Sequence, residues 1–305
     1  MPKICYIPKN FREKSLTYIA HAIRIIEEYQ AQGFNLTLRQ LYYQFVARDL
    51  IPNIQKEYQK LVNIISDARL AGLIDWNSIE DRTRELKDLP HWSSPASILR
   101  AAASGYRIDK WNRQPYRVEV WIEKDALTGV IEGVCKRWDV PYFSCRGYNS
   151  QSEMWVAGQR LINHSQDGQR CLVLHLGDHD PSGLDMTRDI RERLITFMRY
   201  EGVEPASVER IALNQDQISQ YNPPPNPTKL SDSRADWYIS QHGFDCWELD
   251  ALDPKVIEQL IEDAITDVVD IDVYNEDLQE EANQRDSLIV ASQRWNDIKK
   301  YLEVE

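Results

Sequence analysis

The stretch Cys171–Asp185, CLVLHLGDHDPSGLD, holds the residues best suited to chemistry. It reads as a short buried strand, Cys171 to Leu176, running into a turn that presents two carboxylates, Asp178 and Asp180. Pro181 and Gly183 fix that turn, and a helix starts at about Ser182. Residues i and i+2 can point the same way from a strand end, so both carboxylates can face one ion. Oxygen-only ligands at the carboxyl end of a parallel strand suit Mg2+, which keeps most of its waters and takes one or two carboxylates plus substrate phosphate. The plainer alternative is an acidic loop in which Asp180 or Ser182 caps the next helix. A D-x-D after a strand does not choose between the two. An earlier strand, RVEVWIE, also ends in a carboxylate, Glu123. One Glu and two Asp on neighbouring strand ends form a more specific pattern than either motif alone.

These carboxylates belong to a βα repeat that begins near Tyr116. Strands at 117–123, 140–146, 171–177 and 208–213 alternate with helices at 124–138, 150–162 and 183–200. The order predicts an α/β fold with a parallel sheet and helices on both faces. Gly147, in the loop SCRGYNSQ, falls at the carboxyl end of the second strand and can let backbone approach a ligand. Glu123, Gly147 and the two Asp thus share the sheet edge where α/β proteins bind ligands.

The chain before this repeat is helical. Residues 11–32 place Leu16, Ile19, Ala20, Ile23, Ile26 and Tyr29 at helical spacing. Thr37 can cap a second helix, Leu38 to about Arg48, which contains RQLYYQFVAR. A third runs roughly from Lys56 to Ala71, with Tyr58, Leu61, Ile64, Ile65 and Ala68 on one face and Gly72 as its stop. A short apolar strand and a turn follow in GLIDWNSIEDRTR. Three helices, a strand and a loop is the order of a winged helix-turn-helix, with the third helix entering the major groove and the loop as wing. Arg69, Arg82 and Arg84 are then placed to meet phosphates. The alternative is a three-helix scaffold without nucleic acid. We read 1–90 as this unit, 91–115 as a basic linker around a short helix at 94–103, and 116–305 as the sheet domain with a helical C-terminal extension. The basic linker residues either contact a DNA backbone or line a solvated tether. The helices after residue 252 read as packing or subunit contact.

Net charge is −12 over 305 residues, yet residues 1–150 carry 22 Lys and Arg against 17 Asp and Glu, while residues 226–305 carry 7 against 20. A basic front half with an acidic tail permits a DNA-facing unit but does not demand one. No apolar run reaches the roughly 18 residues of a membrane span, and the N-terminus lacks the apolar core of a signal peptide. The expectation is a soluble, cytoplasmic protein. The five cysteines show no C-x-x-C spacing, so neither a zinc site nor a disulfide framework is indicated.

Taken together, a helix-turn-helix with a YY pair, a strand ending in Glu, a glycine loop and a strand ending in D-x-D-P-x-G-x-D resemble the A subunit of DNA topoisomerase VI and its relative, the meiotic double-strand-break protein. TLRQLYYQFV matches the family's R-x-I-Y-Y motif. EKDA after the first strand, RGYN and GDHDPSGLD match its Toprim fold, the metal-binding module shared by topoisomerases, primases and some nucleases. The likeness covers roughly residues 35–252, more loosely from Thr228 to Leu252. It implies a winged helix plus a Toprim domain, Tyr43 as nucleophile, and Mg2+ held by Glu123, Asp178 and Asp180. Glu123 and Asp178 would hold the ion tightly, and Asp180 would bind through water or a second ion. It implies double-stranded DNA as partner, and a homodimer in which each tyrosine works on the other subunit's metal. The chain is shorter than a usual A subunit, which puts docking of an ATPase B-type subunit in doubt; no G-x-x-x-x-G-K-[ST] is present.

In such a site a tyrosine attacks a DNA phosphate and holds the broken end as a phosphotyrosine ester. Its phenol, with a pKa near 10, needs help to lose its proton. Arg39, one turn before Tyr43, can contact the phosphate; the alternative is a solvated arginine. Tyr42 lies roughly 100° around the helix from Tyr43, so both are not expected to face the site. Lys124 either contacts phosphate or opens its helix. His179 is expected as a loop residue pointing to solvent, Asp185 as a turn hydrogen-bonder, Glu248 as structural, and Trp92, Trp111 and Trp121 as mostly core. Two further functions stay open: a Toprim nuclease using metal-activated water, and a non-enzymatic winged-helix DNA-binding protein.

Overall fold

The structure, a computed structural model, describes residues 3–80, 89 and 91–302. The front of the chain folds as three helices, α1 (Glu13–Gln30), α2 (Leu38–Ala47) and α3 (Gln55–Leu70), with two short parallel strands, β1 (Leu36–Thr37) and β2 (Ile79–Glu80), in register Leu36 to Ile79. Thr37 and Gln40 form a capping box that starts α2 immediately after β1. The buried face of α1 is Tyr18, Ile19, Ala22, Ile25, Ile26 and Tyr29, whereas Leu16 and Ala20 are exposed. Of the expected apolar stripe, Ile19, Ile26 and Tyr29 are buried and Ile23 packs partly against the same core. Tyr18 buries its ring and keeps its hydroxyl on Glu57 of α3, 3.0 Å away, a division of labour that a hydrophobic count overlooks.

After α4 (Pro95–Gly105) come β3 (Tyr116–Ile122), α5 (Thr128–Arg137), β4 (Tyr142–Ser144), α6 (Gln151–Gln166), β5 (Arg170–Leu176), α7 (Pro181–Tyr200) and β6 (Ser207–Ala212). The four strands form one parallel sheet in the order β4-β3-β5-β6, so the expected mixed α/β architecture and its parallel sheet are present. Alternation along the strands divides the core into two layers. Val118, Val120 and Ile122 with Leu172, Leu174 and Leu176 pack under α5. Trp121, Cys171 and Val173 face α6 and α7. The chain continues through α8 (Gln215–Tyr221), the antiparallel pair β7 (Asn226–Pro227) and β8 (Asp245–Cys246) flanking α9 (Ala235–His242), then α10 (Pro254–Thr266), α11 (Ile271–Gln293) and α12 (Trp295–Leu302). Ile257, Ile261 and Ile265 of α10 complete the first core layer. α11 and α12 meet at Arg294.

The basic stretch ahead of β3 is not a tether. α4 packs along α11, and Lys110 reaches Glu281 at 2.5 Å with both side chains buried. Arg113 pairs with Asp277 at 2.9 Å, and Arg117 with Asp109 at 2.6 Å. The acidic tail thus supplies counter-ions for part of the basic front. Trp111 and Trp121 are core, as expected, while Trp92 is half exposed. All five cysteines are free thiols, four of them buried. No helix among the described residues is long and apolar enough to cross a membrane.

His175 lies fully buried in the second layer, its Nδ1 2.8 Å from the Thr187 hydroxyl. Burial, helped by the Arg210 charge, pushes its pKa down from 6.5 to about 3. Unfolding frees this ring to take a proton, so its contribution to stability is present above pH 6.5 and is lost progressively as pH falls toward 3. In His175→Leu, the drop in unfolding free energy between pH 7 and pH 5, measured by urea denaturation, should be smaller than in wild type by about 2 kcal/mol. An equal drop in both proteins would refute the assignment.

Candidate active site at the sheet edge

The parallel register sets Glu123 and Asp178 side by side. Glu123 leaves β3 with its amide donating to the Leu176 carbonyl at 2.8 Å, and Glu123 Oε2 accepts from the Asp178 amide at 2.8 Å. Asp180 has the plainer role foreseen for it: Oδ1 accepts from the Gly183 amide at 2.6 Å and the Ser182 hydroxyl at 2.9 Å, capping α7. Gly183 is demanded by space, because a Cβ there would sit 2.2 Å from the Asp178 carbonyl oxygen. Arg210, on β6, clamps the turn from beneath. Its guanidinium donates to the carbonyls of Gly177, Asp178 and Gly183 at 2.8, 2.6 and 3.0 Å. Burial lowers its pKa to about 10, which still leaves it a cation at neutral pH.

A second wall comes from residues 247–252. His179 and Trp247 exchange backbone hydrogen bonds of 2.8 and 3.0 Å, and the Leu249 amide donates to Asp178 Oδ1 at 2.8 Å. His179 therefore does not point to solvent. It is buried against Tyr238, His242 and Trp247, with Nδ1 2.8 Å from the Tyr238 hydroxyl. Burial and the neighbouring His242 depress its pKa to about 4, so the ring is neutral at pH 7. Asp185, with Arg188, Arg234 and the Tyr148 hydroxyl as partners, orders the glycine loop. Gly147 there adopts φ +92°, a left-handed conformation suited to glycine.

Two acids of this wall, Glu248 and Asp250, join the helical unit to the sheet. Lys124 Nζ reaches Asp178 Oδ1 at 2.9 Å, Glu248 Oε2 at 2.8 Å and Asp250 Oδ1 at 2.8 Å. Arg39, from α2, reaches Glu248 Oε2 at 2.5 Å and Asp250 Oδ2 at 3.0 Å. Its guanidinium lies 5.8 Å from the centre of the Tyr43 ring. Lys124 is thus more than a helix opener, and Arg39, though 46% exposed, is tied to two acids. Glu248 would be raised by burial, but Lys124 and Arg39 outweigh that and hold it down at about 2.

Both tyrosines line the same cleft of about 670 Å³, together with Arg39, Lys124, Asp178, Asp180, Lys229 and Glu248. The expectation that only one of the pair faces the site fails, since both side chains line the cleft. Tyr42 turns toward Asn53, to which its hydroxyl donates at 3.1 Å, and toward the Tyr58 ring. Tyr43 turns toward Arg39. It is 4% exposed, and burial together with the Asp250 and Glu248 carboxylates raises its pKa well above the usual phenol value. Glu123 lies just behind Asp178, outside the cleft lining. Arg69 is elsewhere, its guanidinium 4.6 Å over the Trp76 ring and donating to the Trp76 carbonyl at 2.6 Å. Arg82 and Arg84 lie outside the described residues.

Asp250 and Arg210 were not singled out from the sequence. WELDAL repeats the i, i+2 acid spacing of D-H-D, which was a usable signal for Glu248 and Asp250. Nothing in the sequence around Arg210 marks it.

Among the described residues, no three His, Cys, Asp or Glu side chains close on one point as a ready ligand set. The donor set nevertheless suits a hard divalent cation in kind, since it offers oxygen alone. Burial raises both Glu123 and Asp178; repulsion from Asp180 adds to the first, and repulsion from Glu123 and Asp250 adds to the second. Lys124 pulls Asp178 the other way, and three carboxylates hold the ammonium charged, so that contact is an ion pair. Carboxylates that repel one another in a dry site accept a cation readily.

The chain matches no protein-family model and no curated protein.

The Asp250 carboxylate is completely buried between two cations. Asp250→Ala should lower unfolding free energy by about 1.5–3 kcal/mol, because it removes a buried acceptor from two cations that keep only Glu248, and for Lys124 also Asp178. Glu192→Ala, which breaks the exposed pair with Arg188, should cost less than about 1 kcal/mol. Urea midpoints of the two variants measure the contrast, and equal shifts would contradict it.

Proposed function

We propose that the protein cleaves double-stranded DNA by Mg2+-dependent transesterification through Tyr43, in the manner of the topoisomerase VI A family. In this reading the helical front is a winged helix and the parallel sheet a Toprim fold. The observation that carries it is the meeting of Tyr43, Arg39, Asp178 and Asp180 in one cleft. Glu123, Asp178 and Asp180 would hold Mg2+, which when bound supplies charge against the phosphate and the leaving sugar oxygen.

The chain's own residues do the rest. Arg39, beside the Tyr43 ring, pairs with the scissile phosphate. The Tyr43 oxygen forms a bond to phosphorus, the bond from phosphorus to the sugar oxygen breaks, and that oxygen takes up a proton. The phenol proton passes to solvent. Burial and the adjacent acids hold that proton tightly, so the phenol ionises only as it attacks. Tyr42, tied to Asn53, braces the helix. Two copies of the chain supply the two cuts of a double-strand break.

The same burial of Tyr43 favours a second reading, a Toprim nuclease in which metal-activated water attacks and the tyrosines are structural. Incubation with DNA and Mg2+ followed by denaturation separates the two. Wild type should yield DNA covalently joined to protein, Tyr43→Phe none, and Asp178→Ala no cutting at all. Cutting by Tyr43→Phe that leaves free ends would assign hydrolysis instead. No cutting by wild type, with DNA binding retained in Asp178→Ala, would leave a binding protein. Because Tyr43 shares a cleft with carboxylates of its own chain, a mixture of Tyr43→Phe and Asp178→Ala proteins should remain inactive. Restored nicking would place each tyrosine at the partner's metal.

A further inference from the structure

The Lys124 ammonium lies 2.9 Å from Asp178 Oδ1, while also touching Glu248 and Asp250 at 2.8 Å each. Its side chain is 17% exposed, and those of Asp178 and Asp250 are 10% and 0%. The local charges are unbalanced. Glu123, Asp178, Asp180, Glu248 and Asp250 face Lys124, Arg39 and Arg210, which leaves two negative charges unmatched. The Asp178 oxygen that Lys124 uses also accepts from the Leu249 amide. An incoming cation therefore competes with the ammonium for that oxygen. Lys124 can concede it without losing all its partners, because Glu248 and Asp250 lie in the same wall on its other side.

We infer that Lys124 is an internal counter-ion that stands in for the divalent cation at Asp178 and moves onto Glu248 and Asp250 when that cation binds. This rests on the metal-site reading of Glu123, Asp178 and Asp180 given above. The exchange has a second consequence. Glu248 Oε2 accepts from both Lys124 and Arg39, so Lys124 settling on Glu248 competes with Arg39 and loosens it for a phosphate beside Tyr43. Lys124 is by this account a positioning residue: it tunes the affinity for the cation and links its arrival to the release of Arg39.

The test needs no turnover. The full-length wild-type protein is labelled with a trace of acetic anhydride, with and without MgCl2, and the rate at Lys124 is read by peptide mass mapping against exposed Lys136. Mg2+ should raise the Lys124 rate at least threefold and leave Lys136 unchanged, because an ammonium held by three carboxylates is freed from one of them. In parallel, Mn2+ binding followed by electron paramagnetic resonance should be at least tenfold tighter in Lys124→Met than in wild type and lost in Asp178→Asn. The double variant Lys124→Met/Glu248→Gln, which removes one acid with the cation, should show the same tightening if the single variant folds poorly. Mn2+ binding at Asp178 with Lys124 labelling unchanged or slowed, or affinity unchanged or weaker without Lys124, would overturn the inference alone. Absence of any Asp178-dependent Mn2+ binding in wild type would overturn the metal-site reading and this inference with it.

Discussion

Everything at the sheet edge depends on one partly buried cluster of charges, Arg39 and Lys124 set against Glu248 and Asp250. Such clusters add little net stability over apolar packing of the same volume, because taking each ion out of water costs several kcal/mol. Their effect is on geometry. Each charge is acceptable only where its partners are, so α2 can dock on the sheet in one position. That position brings Tyr43 to the carboxyl ends of β3 and β5. A greasy contact between the same elements would allow sliding and rotation, and the tyrosine would not be fixed against the acids.

The cluster works because the loop that carries Asp178 is itself immobilised. Arg210 takes up three backbone carbonyls, Trp247 adds a two-bond bridge, and the Leu249 amide holds the carboxylate. Gly183 has no Cβ because the Asp178 carbonyl already occupies that space. A turn satisfied from three sides does not need a bound ligand to keep its shape. It can therefore hold several repelling acids close together in the folded chain.

The sheet was legible in the sequence, while the joint between the two units was not. The switch from helical to alternating period at Tyr116 and the strand-final acids placed β3 and β5 within a residue or two of their true ends. Those signals are local, and local patterns survive translation into structure. Docking of α2 on residues 247–252 depends on pairs more than 200 residues apart, Arg39 with Glu248 and Asp250. No periodicity encodes such a pair. On α1 the expected Ile19, Ile26 and Tyr29 are buried, whereas amphipathic Tyr18, whose hydroxyl bonds Glu57, is buried and Leu16 and Ala20 are exposed. Helical angle did not separate Tyr42 from Tyr43, because both side chains line the cleft.

The basic front half must also be reinterpreted. A surplus of cations attracts a phosphate backbone only where they are free to exchange their counter-ions. Many of these cations are already engaged. Lys9 pairs with Asp67, Arg48 with Glu28, Lys60 with Glu57, and Lys110 and Arg113 with the acidic α11. Sequence-wide charge therefore overstates the pull on DNA. The acidic tail acts on the fold by neutralising the stretch ahead of β3, not as a solvated appendage. Inside the cleft the same holds: Arg39 and Lys124 are both engaged by Glu248 and Asp250.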